Sequence, residues 1–283
     1  MFKKLLKYDA RSVFKIWWIG ALISVASALV GGLLFNFLGN FSENSENFIL
    51  NLILIFSRFA AVLCIFTMML SLVMTVVIII VRFYKHFFTD EGYLTFTLPT
   101  SRAALLLSKT VNAMIWYSLH ILVLFASAFL FASLVVPIEE IKSLFVGIGE
   151  SLKIAWQSIG GWLIVYIFEA LLLLVAFLLL SITLIYFCIT FASVLLKKAR
   201  AIVAVVVYYA LTSAFSFIGQ LTVYIFGIAF SEASPVLFDN ATANQEFSAV
   251  SLLILIIIAI VSAISAILYS ITQYLLDRKL NLA

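Results

Sequence analysis

Residues 16–38 contain no Asp, Glu, Lys or Arg. Five more apolar runs follow at 48–81, 105–136, 161–196, 201–230 and 250–276, broken only by Arg58, Lys109 and Glu169. A helix needs about 20 apolar residues to cross a hydrocarbon layer of roughly 30 Å, and every run is long enough. Lipid offers the backbone no hydrogen-bonding partner, so each run must satisfy its own amides and carbonyls, as a helix does. The alternation of a lipid-facing barrel strand is absent, and the runs are too long for strands. With 65% of its residues hydrophobic and 11% charged, the chain carries more apolar surface than a water-soluble core can hide. The sequence specifies an all-α integral membrane protein: one transmembrane domain over residues 1–283, with six spans.

Fourteen of the 17 Lys and Arg fall on one side of this arrangement. Lys3, Lys4, Lys7, Arg11 and Lys15 precede the first span, and Arg82, Lys85, Arg102 and Lys109 surround the second loop. Lys197, Lys198 and Arg200 lie in the fourth loop, with Arg278 and Lys279 after the last span. The opposite loops hold Lys142 and Lys153 and are rich in acids, among them Glu43, Glu46, Glu139, Glu140, Glu150, Glu232, Asp239 and Glu246. Basic residues are retained on the cytoplasmic side, which puts both termini inside. The same rule accounts for a pI near 9.0 without a nucleic-acid partner. The first run is longer than a signal-peptide core and lacks a small-residue cleavage pattern, so it is expected to be an uncleaved span.

Two outer loops have distinct characters. Residues 137–160 place Ile141, Leu144, Phe145, Ile148, Leu152, Ala155, Trp156 and Ile159 at three- and four-residue intervals, with the charges tending to the other face. That pattern predicts an amphipathic helix lying along the membrane interface, with Trp156 near headgroup depth. Residues 231–248, SEASPVLFDNATANQEFS, read as polar and turn-rich.

Catalytic signatures are missing. There is no GxxxxGK[ST] phosphate loop and no HExxH, and His86 and His120 are too far apart in sequence to form a local metal site. Glu139-Glu140 lacks the following arginine and the later histidines that an intramembrane protease needs, and reads as a solvated outer pair. Cys64 and Cys188 both fall inside spans with no metal-ligand spacing, as small buried apolar residues do. The chain is not expected to be an enzyme. Arg58 and Glu169 remain as charges inside spans, each of which starts from the outer side. A lone arginine at the bilayer centre costs about 3 kcal/mol on insertion scales. Three readings stay open: an Arg58–Glu169 pair across two helices, snorkelling of either residue to the interface, or a place on a translocation path. Asn112, His120, Gln220 and Gln273 are candidates to glue helices together by hydrogen bonds.

The second loop is the most structured-looking polar segment. Residues 89–109 read TDEGYLTFTLPTSRAALLLSK. Thr89 can cap a short helix whose first turn carries Asp90 and Glu91, where the dipole favours negative charge. Pro99 stops it, and Thr100 or Ser101 can cap the next helix, which runs into the third span. A short cytoplasmic helix fixed at both ends suits docking.

Acid–Gly–x–Leu, then Leu-Pro-Thr-Ser-Arg, then Leu-x-x-x-Lys resembles the loop between the second and third spans of ATP-binding-cassette (ABC) transporter permeases of the type-2 exporter class. Here the pattern stands as Asp90-Glu91-Gly92-Tyr93-Leu94, Leu98-Pro99-Thr100-Ser101-Arg102 and Leu105 with Lys109. The six-span layout with internal termini agrees. The resemblance implies that this loop is the coupling helix, resting in a cleft of a separate ATPase subunit. Asp90, Glu91, Gly92, Tyr93, Leu94, Leu98, Pro99, Ser101 and Arg102 would then be coupling residues. It implies a multi-pass permease in a cell membrane, a bacterial plasma membrane by the family's habit. It further implies a second permease chain, identical or not, and ATP with Mg held by the partner ATPase rather than by this chain. The cargo expected from the family is hydrophobic or amphipathic. The alternative is a stand-alone ion-coupled carrier or channel, with Arg58 and Glu169 as binding or gating charges.

Overall fold

The apolar runs are rich in Leu, Ile, Val and Phe and contain almost no proline, so nothing in them interrupts the helical ladder that lipid demands. A computed structural model of the chain describes residues 2–39, 48–97, 100–196, 199–238 and 243–278, and their regular structure is helical throughout. Eight helices follow in order: α1 (Phe2–Gly39), α2 (Phe48–Phe88), α3 (Asp90–Phe96), α4 (Arg102–Val135), α5 (Ile138–Ile159), α6 (Trp162–Leu195), α7 (Arg200–Phe238) and α8 (Ala243–Arg278). Six of them, all but α3 and α5, are long and apolar enough to cross a membrane. Large apolar side chains stand exposed along them, such as Phe56 at 65%, Phe125 at 70% and Ile202 at 68%. Soluble surfaces do not carry apolar patches on this scale, whereas a lipid-facing surface must.

Each apolar run falls on one of these six helices, but most of the helices outrun their runs. Helix α1 starts at Phe2, so the basic segment ahead of residue 16 is helical, and α2 continues to Phe88. Lys and Arg are good helix formers, so their charge ends the apolar run and not the helix. Helix α7 also continues through 231–238, Pro235 included, which the polar composition had marked as turn-rich, and α8 resumes at Ala243. Between α4 and α5 the chain turns at Val136 and Pro137, whose carbonyl receives the amides of Glu140 (3.0 Å) and Ile141 (3.2 Å). The amphipathic helix expected over 137–160 is α5, and none of its residues is buried. It ends where Gly160 takes φ 54° while its amide reaches Trp156 O at 2.9 Å; only glycine adopts that left-handed stop without a steric penalty.

The chain forms two compact units. The first comprises Met1–Phe83 and Leu107–Leu152. Its core is Val13, Trp17, Ile78 and Trp116, with Ala10, Ala21, Met74 and Val123 packed around them. Contacts from α1 to α4 advance together, from Asp9 with Lys109 through Ser24 with Ser127 to Asn36 with the Leu134 carbonyl, so the two helices run parallel. Small residues let their backbones approach. A Cβ on Gly31 would lie 2.7 Å from the Cβ of Cys64 on α2, and one on Gly32 would lie 2.9 Å from Leu134 on α4.

The second unit comprises Tyr84–Leu106 and Lys153–Ala283. Helices α6 and α8 run parallel in it, with one offset between them. Trp162 bonds Asn244, and seven residues on Glu169 bonds Ser251. The same 82-residue spacing carries on to buried Thr183 and Ser265, then to buried Thr190 and Thr272. A seven-residue repeat of this kind keeps one stripe of each helix on a straight seam. Helix α7 joins through Val207, Tyr208, Leu211 and Phe215, which pack around Leu184, Cys188 and Leu268.

Gly31→Ala should destabilise the protein by about 1–3 kcal/mol, the usual cost of forcing extra volume into a filled contact. Gly147→Ala, which would meet nothing within 4 Å, should leave stability unchanged or raise it slightly. Thermal unfolding of the purified chain in detergent, followed by monodispersity on gel filtration, measures the difference.

Candidate functional site

The connection between α2 and α4 is built from its two ends inward. Phe87 and Phe88 are buried at the end of α2, and Tyr84 stacks on Phe88 with centroids 5.8 Å apart. The Thr89 hydroxyl donates back to Lys85 O at 2.6 Å, so the side chain expected to open α3 serves the close of α2. Its carbonyl receives the Gly92 amide at 2.7 Å. Gly92 is buried against the preceding helix: a Cβ there would come within 3.0 Å of the Phe87 carbonyl carbon and oxygen. Backbone on both sides leaves no side chain to move aside, which accounts for glycine at this position. Asp90 and Glu91 occupy the first turn of α3 and are exposed, where they complement the helix dipole. Glu91 Oε2 lies 3.8 Å from His86 Nε2. Tyr93 and Leu94 belong to α3, but their side chains lie outside the described residues, as do Leu98 and Pro99 entirely.

The other end is tied more firmly. Ser101 Oγ accepts the Ala104 amide at 3.3 Å and its carbonyl accepts the Leu105 amide at 3.2 Å, which makes Ser101 the cap of α4. Arg102 reaches the last turn of α8: its Nη1 donates to the carbonyls of Leu276 and Asp277, and its Nε lies 3.9 Å from Asp277 Oδ1. Those carbonyls are among the four that a helix end leaves unpaired and partially negative, so a guanidinium satisfies and neutralises them together. Two turns earlier on α8 and one residue on in α4, Tyr269 Oη donates to Ala103 O at 3.3 Å. The arginine that the sequence placed on a docking surface therefore holds the start of α4 to the end of α8.

Lys109 is not in the loop at all. It is buried on α4 and pairs with Asp9 of α1, also buried. Asp9 was missed by the sequence reading; its one signal is that it is the only acid before Glu43 in a strongly basic segment. Further along the same helices, Ser71 Oγ and His120 Nε2 lie 3.0 Å apart, and the edge of His120 meets Trp17 at 5.9 Å. His120 thus links α4 to α2, as a helix glue. Asn112 instead accepts from Trp116 of its own helix (2.9 Å), and Gln220 donates to Ser216 of its own (3.5 Å). Gln273 is half-buried on α8.

Arg58 is exposed on α2. Glu169 is 2% exposed on α6; its Oε1 accepts from Ser251 Oγ, and its Oε2 finds no hydrogen-bond partner among the described residues. Cys64 and Cys188 are free thiols, and no cluster of three metal-ligating side chains occurs among the described residues.

Lys109→Met should cost about 3–5 kcal/mol by leaving the Asp9 carboxylate buried without its partner. Combining it with Asp9→Leu should recover most of that loss, because an apolar pair of similar volume fills the same space. A double-mutant cycle on thermal stability reads the coupling directly. At the loop, Arg102→Lys should fail to replace arginine, since an ammonium cannot fork across two carbonyls and a carboxylate; limited proteolysis of the α8 end should then be faster. Comparison with protein-family models, with curated proteins and with solved structures finds no match for this chain.

Proposed function

We propose that the chain is the membrane subunit of an ATP-driven exporter of the type-2 ABC class, working with a second permease chain and two separate ATPase subunits. The observation that carries this reading is the construction of the α2–α4 connection. A seven-residue helix presents two exposed acids, Asp90 and Glu91, between helix ends that are each held by several bonds. A loop that merely turned the chain would not need Gly92 pressed onto the Phe87 backbone or an arginine bound to a distant helix end. Force applied to α3 by a closing ATPase dimer passes to α2 and α4 as a rigid push. ATP and Mg belong to the partner, and the cargo is hydrophobic or amphipathic.

Both termini and α3 face the cytoplasm in this reading, on the strength of the basic residues around them. Helix α5, with its apolar arc from Ile141 to Ile159 unburied, lies on the opposite interface.

A Walker-motif ATPase gene beside this one, and co-purification of its product with the chain, is the direct test. Glu91→Arg replaces an exposed side chain, so the fold should survive it while ATPase association and ATP-dependent transport fall together by about tenfold or more, as expected when a docking charge is reversed. Leu98→Asp should behave alike. Transport into vesicles without any ATPase would instead establish the stand-alone carrier.

A further inference from the structure

We infer that the seam between α6 and α8 holds a binding site for an amphiphilic organic cation, with the Glu169 carboxylate as its counter-charge. Three rungs cross this seam at successive turns. Trp162 Nε1 donates to Asn244 Oδ1 at 3.3 Å, Tyr166 Oη donates to Phe247 O at 2.9 Å, and Ser251 Oγ donates to Glu169 Oε1. Residues 162, 166 and 169 share one face of α6, and 244, 247 and 251 share one face of α8.

The last rung differs in kind from the other two. A hydroxyl gives Glu169 one hydrogen bond but no opposite charge, and Oε2 is left without a donor among the described residues although the side chain is 2% exposed. A carboxylate in that setting is costly unless something positive joins it, and ionisable groups inside spans mark substrate or ion pathways. Above the first rung lies an open pocket of about 480 Å³, within the size range of sites for small organic ligands. Its walls include Ile159, Trp162, Val165 and Phe247, with Asn244 and Ser158 as polar points and no charged group. Such walls suit an apolar body, and the indole face of Trp162 attracts a cation in passing. From Trp162 to Glu169 is two turns of helix, roughly 10 Å, about the length of one such molecule. The pocket walls stop at Val165 and Phe247, one turn short of Glu169, so the headgroup takes Oε2 by parting the Tyr166–Phe247 rung while the apolar body stays in the pocket.

As cargo recognition the site rests on the transport reading above; as a binding site it needs no ATPase. The full-length chain in lipid nanodiscs, without any partner, is titrated with tetraphenylphosphonium and with tetraphenylborate, ions of matching shape and opposite charge. Saturable binding of the cation is expected, with the anion showing only unsaturable partition into lipid. Glu169→Gln should weaken the cation by about tenfold or more, the loss of one charge–charge attraction in a poorly solvated setting. Val165→Trp, at a position 37% exposed, should weaken it by filling the pocket without disturbing the seam. Absence of saturable cation binding, equal binding of the anion, or an unchanged affinity in both variants would overturn the site. Should Glu169→Gln fail to fold, the ion pair and Val165→Trp still decide. Failure of ATPase co-purification would overturn the exporter reading alone.

Discussion

A polar group inside a bilayer has only the protein to bond with, and that constraint arranges both the backbone and the side chains of this chain. For the backbone the solution is local, so every apolar run becomes a helix. For side chains it is not local, because the partner must come from another helix. In the first unit the partners form cross-helix bonds along α1, α2 and α4: Asp9 with Lys109, Ser71 with His120, Ser24 with Ser127. Each such bond fixes the axial register of two helices that dispersion contacts alone would let slide. Gly31 and Gly32 then bring the backbones close enough for packing to add to the bonds. Polar contacts set which residues face each other, and small residues set how near.

The connection between α2 and α4 uses the same logic at the edge of the hydrocarbon. Helix ends there carry unpaired carbonyls and amides, and three side chains take them up: Thr89 at the end of α2, Ser101 at the start of α4, Arg102 at the end of α8. Helix α3 is too short to be stable by itself, since nucleation alone costs more than seven residues return. It persists because its flanks are fixed. Displacing α3 therefore pulls on the end of α2, the start of α4 and the last turn of α8.

The spans, the short α3 and the amphipathic α5 were legible because each is written in consecutive residues, as runs, caps and three-to-four-residue periods. What hydropathy could not give was the helix limits, since Lys3 to Lys15 and the segment 231–238 break the apolar pattern without ending the helix. Lys109 was misplaced for a different reason. Counted as a loop charge, it is buried because Asp9, a hundred residues away in sequence, waits for it. No local pattern announces such a partner. Arg102 belongs to the same class: its motif drew attention to it, yet its contacts, Leu276 and Asp277, lie 174 and 175 residues further on. Glu169 was visible as an acid inside a span, but its bond to Ser251 depends on the constant offset between α6 and α8, which appears only once the two are laid side by side.

Lys109 and Glu169 are two buried charges in one chain, and the difference between their surroundings carries meaning. Lys109 is met by a full opposite charge, so removing either member should hurt while replacing both with apolar groups should not; a pair of that kind specifies packing. Glu169 is met by a neutral hydroxyl, with a second oxygen left over. If Glu169 served packing alone, glutamine would do the same work at lower cost, accepting from Ser251 through its amide oxygen without a charge to desolvate. The cation inferred for this seam supplies the opposite charge that the Ser251 hydroxyl does not. The two outer rungs, Trp162 with Asn244 and Tyr166 with the Phe247 carbonyl, are each a single bond between neutral groups, able to exchange for a ligand contact without stranding a charge.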